Sequence, residues 1–206
     1  MKKTLLMLAG LALCAPGIAR ADSLYTVTIA QAGGNVVATG SGNIDLTGLT
    51  FVGGYGAANP DFDASLGYLN MGPVPVAESI NGYTGFTGPT NFGSGAGTAD
   101  SGSGADVAIL ASIVSGYNTS PLLWVSTDYV SGAALGTTTD SYDSSTLSSL
   151  GMTPGTYTWT WDGGADSFVI DIETPAPVVP EPSSLVLLGT GLVGFASALR
   201  RRKAAL

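Results

Sequence analysis

Hydrophobic and polar residues alternate along several short stretches of this chain. Tyr25, Val27 and Ile29 are separated by Thr26 and Thr28, and successive side chains of a β-strand point to opposite faces of a sheet. The alternation therefore predicts a strand with one buried face. Similar short runs predict further strands at residues 36–46, 66–71, 83–86, 107–114 and 122–130.

The clearest local pattern, at residues 150–172, predicts two strands joined by a turn. A Pro-Gly pair begins a strand that places Tyr157, Trp159 and Trp161 on one face and threonines on the other. Residues 162–166 turn the chain. The returning strand again alternates, with Phe168, Ile170 and Ile172 on one face.

The residues between these strands predict turns and loops rather than long helices. Prolines within residues 73–75 interrupt the chain, and the Gly/Ser-rich residues 91–104 predict a loop. Residues 143–150 predict one short helical turn capped by Asp143 or Ser144. Many short strands with dense turn signals predict an all-β fold, an antiparallel β-sandwich of which the jelly roll is one form.

The start of the chain has the pattern of a secretory signal peptide. Two lysines precede an apolar run at residues 5–13, and Ala19 and Ala21 put small residues at the positions that signal peptidase reads. A membrane span needs about 20 apolar residues, so this run is too short for an anchor. The pattern predicts a signal peptide at residues 1–21, cleaved after Ala21 by signal peptidase.

The end of the chain has the pattern of a membrane anchor. A Pro-rich linker at residues 174–182 leads into the uncharged residues 183–199, which as a helix would be about 25 Å long. Such a helix spans a hydrocarbon core of roughly 30 Å when flanking basic side chains reach the interface. Residues 200–206 then form a cytoplasmic tail. We name its charged residues the basic cluster: Arg200, Arg201, Arg202 and Lys203.

The tail resembles a known sorting signal. Pro180, Glu181 and Pro182, followed by the apolar run and the basic cluster, resemble the PEP-CTERM sorting signal of Gram-negative bacteria over residues 179–203. The same tail is also labelled an ice-binding-protein C-terminal domain. The resemblance implies recognition of Pro-Glu-Pro by exosortase, with the basic cluster as a stop signal. It also implies export, often in species that make exopolysaccharide. Residues 40–50 and 150–172 are similar to elements of a β-domain that recurs in such proteins.

Charge separates the middle of the chain from its ends. All fifteen acidic residues lie from Asp22 to Glu181, where there is no Lys, Arg, His or Cys. Nucleic acids and anionic membrane surfaces are therefore excluded as partners of this region, because phosphate binding needs basic side chains. Serine-nucleophile chemistry lacks a basic partner as well. A glycosidase with two carboxyl groups, Glu78 or an aspartate serving as the acid, is chemically possible, but nothing marks a pair. We therefore expect neither an enzyme nor a cofactor.

The tryptophans of the 150–172 segment have two interpretations. Trp159 and Trp161 could form a platform on which sugar rings stack, but two tryptophans on one strand face are more often core residues. Thr156, Thr158 and Thr160 resemble one row of an ice-binding face, but such a face needs rows on many strands, and strand composition already accounts for these threonines. We favour a buried Trp pair.

Paired aspartates are the candidate metal ligands. Oxygen-rich loops suit Ca²⁺, but aspartate and glycine are also ordinary turn residues. None of the pairs has an EF-hand or Gly-Gly-x-Gly-x-Asp spacing, so no metal site is predicted. The pairs are Asp61 with Asp63, Asp100 with Asp106, Asp140 with Asp143, and Asp162 with Asp166.

These features predict an exported β-sandwich domain at residues 22–173. We expect it to cross the inner membrane, remain there transiently through its C-terminal helix, and then reach the cell surface or the extracellular matrix. A structural or adhesive role is predicted. The alternative is a carbohydrate-binding module for exopolysaccharide.

Overall fold

The computed structural model describes residues 23–76, 79–175 and 190. The chain divides into two compact units, Met1–Glu173 and Thr174–Leu206. Within the described residues of the first unit, two β-sheets pack face to face. Their strands, in chain order, are β1 Leu24–Ala32, β2 Asn35–Asn43, β3 Thr50–Gly56, β4 Asp61–Asp63, β5 Tyr68–Met71, β6 Ser79–Thr84, β7 Ala96–Thr98, β8 Ser101–Ser103, β9 Val107–Leu110, β10 Leu122–Ser126, β11 Ala134–Tyr142, β12 Gly155–Trp161 and β13 Asp166–Ile172.

The first sheet has the strand order β12-β13-β1-β2-β11-β8. The alternating apolar residues of β1 and β13 are buried because they face the second sheet. β12 and β13 form the predicted antiparallel pair. β1 and β13 run parallel, with Val27 opposite Ile170, which departs from an all-antiparallel sandwich. The first and last strands of the domain therefore lie side by side within this sheet.

The second sheet has the strand order β3-β6-β10-β9-β5-β4-β7. Phe62, Leu69, Ile109 and Leu123 project from its inner face into the main core. Its outer face carries a separate apolar cluster that includes Trp124. Every residue of β9 and β10 is consequently buried.

The two packed sheets confirm the predicted β-sandwich, and two local predictions are corrected. Residues 91–104 were predicted to be a loop but contain β7 and β8. The turn at residues 143–150 is capped by Thr146, whose Oγ1 accepts a hydrogen bond from the Ser149 N–H at 3.0 Å. Oδ1 of Asp143 instead accepts a hydrogen bond from Nδ2 of Asn35, at 2.8 Å. This donor belongs to β2, which is distant in sequence, and not to the turn itself.

Several predictions fall on residues that the structure does not describe. The signal peptide, the Pro-Glu-Pro motif, the basic cluster and Glu78 are all outside the described residues, as is the predicted membrane segment except for Thr190. Over the part of the chain that is described, no helix has the length and apolar character needed to span a membrane.

Candidate functional site

The two tryptophans predicted as core or platform residues lie in the core. Trp159 is 0% exposed and Trp161 is 4% exposed. Their Nε1 atoms donate to the carbonyl oxygens of Pro89 and Asp45, each at 2.8 Å. A ring without an exposed face cannot stack on a sugar, so the platform interpretation does not fit this placement. The same alternation that put both rings on one strand face turns them toward the second sheet.

The third tryptophan lies on the outer face of the second sheet. Trp124 of β10 is 3% exposed and packs edge-on against Tyr55, with ring centroids 5.9 Å apart and an interplanar angle of 90°. Its Nε1 is buried and has no hydrogen-bond partner among the described residues. Buried indole N–H groups usually find a partner, so this donor marks a place where an acceptor would be stabilising.

A cavity of about 120 Å³ adjoins Trp124. Its lining includes Tyr55, Tyr68, Asn70 and Tyr117. Two further depressions share Tyr68 with it, one of about 250 Å³ beside Leu110 and one of about 530 Å³ beside Asp61. We name the combined depression the outer groove and define it by six residues: Tyr55, Asp61, Tyr68, Asn70, Tyr117 and Trp124.

Strand register explains why these side chains share one face. Trp124 is paired with Gly82 on one side and with Ala108 on the other. The row continues from Ala108 to Asn70 and from Asn70 to Asp61. Paired residues of neighbouring strands point to the same face. The small side chain of Ala108, next to Trp124, forms part of the lining of the cavity.

Gly82 is required by this arrangement. A Cβ at this position would lie 2.6 Å from Cε2 of Tyr55 and 3.1 Å from Nε1 of Trp124. A glycine inside a strand often marks a close approach of this kind. Gly82 therefore lets the two aromatic rings meet above the strand.

Hydrogen bonds fix the polar side of the groove. The Tyr68 hydroxyl donates to Oδ1 of Asp61 at 2.9 Å. Asn70 Nδ2 donates to the carbonyl oxygens of Ala58 and Asn59, each at 3.1 Å. Burial raises the pKa of Asp61, while its bonds from Tyr68 and Asn70 act in the opposite direction. Burial, with a smaller effect from the charge of Asp61, raises the pKa of Tyr68, so its hydroxyl stays neutral at physiological pH.

The structure brings together a different pair of acids from those predicted by sequence spacing. Asp140 and Asp106 are both buried. Burial raises the pKa of Asp140 to about 7, and the charge of Asp106 contributes to this rise. Asp143, the predicted partner of Asp140, is exposed. Among the described residues, no group of three or more potential ligands of the His, Cys, Asp or Glu types could hold a metal ion.

Asp63 and Asp166, each a member of another predicted pair, accept structural hydrogen bonds. Asp63 Oδ1 accepts hydrogen bonds from the N–H and the hydroxyl of Ser65, at 3.0 and 2.6 Å, and caps a short 3₁₀ turn. Asp166 Oδ1 accepts from the Ser23 N–H at 3.0 Å. These contacts explain the two aspartates as turn and strand-end residues.

Sequence reasoning placed Trp124 in a strand but gave it no role. It lies in the uninterrupted apolar run at residues 122–125 of β10, a strand whose residues are all buried. Such a run does not show which face each residue occupies. The sequence feature that could have indicated the position of Trp124 is Gly82, a glycine within the neighbouring strand β6.

Comparison with known proteins identifies the end of the chain. A family model described as the PEP-CTERM protein-sorting motif matches residues 178–203. Neither the curated proteins nor the solved structures contain a match. The matched segment includes the Pro-Glu-Pro motif and the basic cluster, which confirms the resemblance found in the sequence. The chain is therefore an exported protein that carries a PEP-CTERM sorting signal and is sorted by exosortase.

Proposed function

We propose that this protein is a structural or adhesive component of the cell surface or the extracellular matrix. The observation that carries the proposal is the sorting signal at residues 178–203, attached to a domain with a continuous two-sheet core. Signal peptidase removes residues 1–21, and the apolar segment at residues 183–199 holds the domain outside the inner membrane until exosortase acts. The domain then works outside the cell.

A non-catalytic role is part of the proposal. The domain from residue 22 to residue 181 has no His, Lys or Cys for nucleophilic or general-base chemistry. Its groove contains Asp61, whose Oδ1 already accepts a hydrogen bond from Tyr68. Asp63 nearby caps a turn. These contacts support binding more than catalysis.

Carbohydrate binding is a second candidate, and the outer groove favours it. Binding sites for small molecules and glycans combine apolar and aromatic walls with a few fixed polar groups. The groove has this composition through its tyrosines, Trp124, Asn70 and Asp61. A matrix exopolysaccharide would then be the ligand through which the protein adheres.

Removing the charge of the basic cluster tests the proposed delivery. Replacing Arg200, Arg201, Arg202 and Lys203 with Ser should reduce the amount of protein at the surface and in the matrix, because positive charge holds the tail on the cytoplasmic side. Cleavage after Ala21 should be unchanged. Cell fractionation with immunoblotting measures the first effect, and N-terminal sequencing measures the second.

A charge-conserving variant provides the matched control. Replacing the three arginines with Lys keeps the positive charge and should leave sorting unchanged. Cells that lack the protein should attach more weakly to a surface, and only the wild-type and Lys variants should restore attachment. Normal sorting of the Ser variant, or normal attachment without the protein, would contradict the proposal.

A further inference from the structure

We propose that the outer groove binds a neutral saccharide chain, with one sugar ring seated beside Trp124 and the chain continuing over Tyr68 toward Asp61. The inference deepens the proposed function and rests on it for the source of the glycan, a matrix polysaccharide.

The unpartnered donor of Trp124 is the first argument. Its Nε1 is buried without an acceptor among the described residues, and Trp124 is one of the residues that line a cavity of about 120 Å³. A buried N–H that lacks an acceptor costs free energy, and this cost is relieved when a ligand oxygen accepts the bond. Sugar hydroxyl and ring oxygens are acceptors of the required kind.

The aromatic walls are the second argument. Tyr117 is 64% exposed, and Tyr55 and Tyr68 are half-buried. A tyrosine ring offers a flat apolar face that ends in a hydroxyl. A sugar ring has a matching form, with apolar C–H faces and a rim of hydroxyl groups. A purely apolar ligand would leave the polar ends of these side chains without partners.

The polar groups across the groove are the third argument. Tyr68 and Asn70 both donate hydrogen bonds within the protein, to Asp61 and to the carbonyl oxygens of Ala58 and Asn59. Their positions are therefore fixed before a ligand arrives. The Asp61 carboxylate is an acceptor for sugar hydroxyl donors. Fixed polar groups of this kind provide orientation and specificity.

Charge selects a neutral glycan over an anionic one. All fifteen acidic residues, and none of the seven basic ones, lie between residues 22 and 181. A uronate, sulfate or phosphate group would find no cation in the domain and would be repelled by Asp61. The groove therefore suits uncharged hexose-based polymers.

The dimensions of the groove favour a chain rather than a single sugar. The second sheet has seven strands from β3 to β7, and six inter-strand spacings correspond to about 29 Å. The three depressions lie on this face and adjoin at Tyr68. Several consecutive sugar rings can therefore contact the sheet at once.

Indole N–H signals in an NMR spectrum test the proposal directly. The protein has three tryptophans, so the ¹⁵N-labelled exported protein should show three indole signals. The probes are cellohexaose, laminarihexaose, mannohexaose and the neutral fraction of the polysaccharide of the producing cells. At least one probe should shift the Trp124 signal in a saturable manner. The signals of Trp159 and Trp161 should stay in place, because their N–H groups are bonded inside the core.

Variants separate binding from folding. Trp124→Phe should weaken binding at least about tenfold, since it removes the donor from the site. Tyr117→Ala should weaken binding several-fold without affecting the fold, since its side chain is largely exposed. Trp159→Phe is the matched control, because it removes an indole N–H that faces the core and should leave the Kd unchanged.

The contrary results are equally specific. If every neutral probe left the Trp124 signal unchanged at millimolar concentration, the proposal would be overturned. It would also be overturned if an alginate oligomer bound as tightly as the neutral probes. A Trp124 shift that depended only on protein concentration, with a dimer in sedimentation, would assign the groove to a second copy of the chain. Cleavage of a bound probe would show that the groove hydrolyses the glycan, and hydrolysis would replace binding as the activity assigned to it. All of these results concern the groove alone. The sorting and attachment assays test the proposed function independently of them.

Discussion

Asp140 is a buried carboxyl group in a domain without a basic side chain. Its folded-state pKa is raised to about 7 from 3.8, chiefly by burial. The folded protein therefore holds a proton on Asp140 between these values, whereas the unfolded chain releases it. The stabilising effect of this protonation is complete below about pH 4 and is lost as the pH rises through about 7.

Asp140→Asn should remove this pH dependence. In the wild-type protein, the Asp140 contribution should lower the free energy of unfolding by up to about 1.4 kcal/mol per pH unit between pH 4 and 7. The variant should show a flatter profile, measured by urea unfolding at several pH values. Asp143→Asn, at an exposed position, is the control and should keep the wild-type slope. An unchanged slope in Asp140→Asn would contradict the assignment.

Individual residues differ in how far the sequence predicts their positions. Trp159 and Trp161 alternate with threonines, and this period of two correctly suggests one shared, buried face. Trp124 stands between Leu123 and Val125, so alternation carries no information there. Its outward direction depends on the register with β6 and β9, which is set by tertiary packing.

Strands with clear apolar alternation were predicted, whereas β3, with its glycines, and the polar strands were not. β1, β2, β12 and β13 contain clear apolar alternation, and their positions follow from it. β11 is ALGTTTDSY and β8 is SGS. Such segments become strands because a neighbouring strand supplies hydrogen-bond partners, which is a tertiary effect that outweighs local propensity.

Strand order is the other property that the sequence does not specify. The hairpin of β12 and β13 is local, and a turn signal marks it. The parallel pairing of β1 with β13 joins segments from opposite ends of the domain. The outer groove combines residues from β3, β4, β5 and β10 in the same way, so its composition could not be predicted from local patterns.

The charge of the whole exported domain should make its stability depend on salt. Fifteen acidic residues without a basic side chain repel one another at neutral pH. Mobile cations screen this repulsion, with a Debye length of about 10 Å at 0.1 M salt. The melting temperature of the exported protein should therefore rise with NaCl, as measured by circular dichroism.

Divalent ions distinguish screening from a specific site. At matched ionic strength, millimolar Ca²⁺ and Mg²⁺ should raise the melting temperature equally, because no paired-acid spacing in the sequence matches a calcium loop. A large rise with Ca²⁺ alone would indicate site binding by mass action. That result would make the paired aspartates a metal site.

For the molecule as a whole, the sequence is most informative at its two ends. A signal peptide and a sorting signal are read by length, charge and short motifs, which need no tertiary structure. The role of the domain depends on a groove assembled from distant strands. This difference explains why delivery was predicted from sequence, whereas the candidate binding site emerged only from the fold.

Intact-mass spectrometry of the protein from the envelope and the medium tests the central claim, which is export followed by exosortase sorting. In wild-type cells, the account predicts an N-terminus at Asp22 and a C-terminus from which the basic cluster is missing. In cells without exosortase, the N-terminus should be the same, but the chain should still end at Leu206. A protein that retains Met1, or that has the same C-terminus in both strains, would contradict the account.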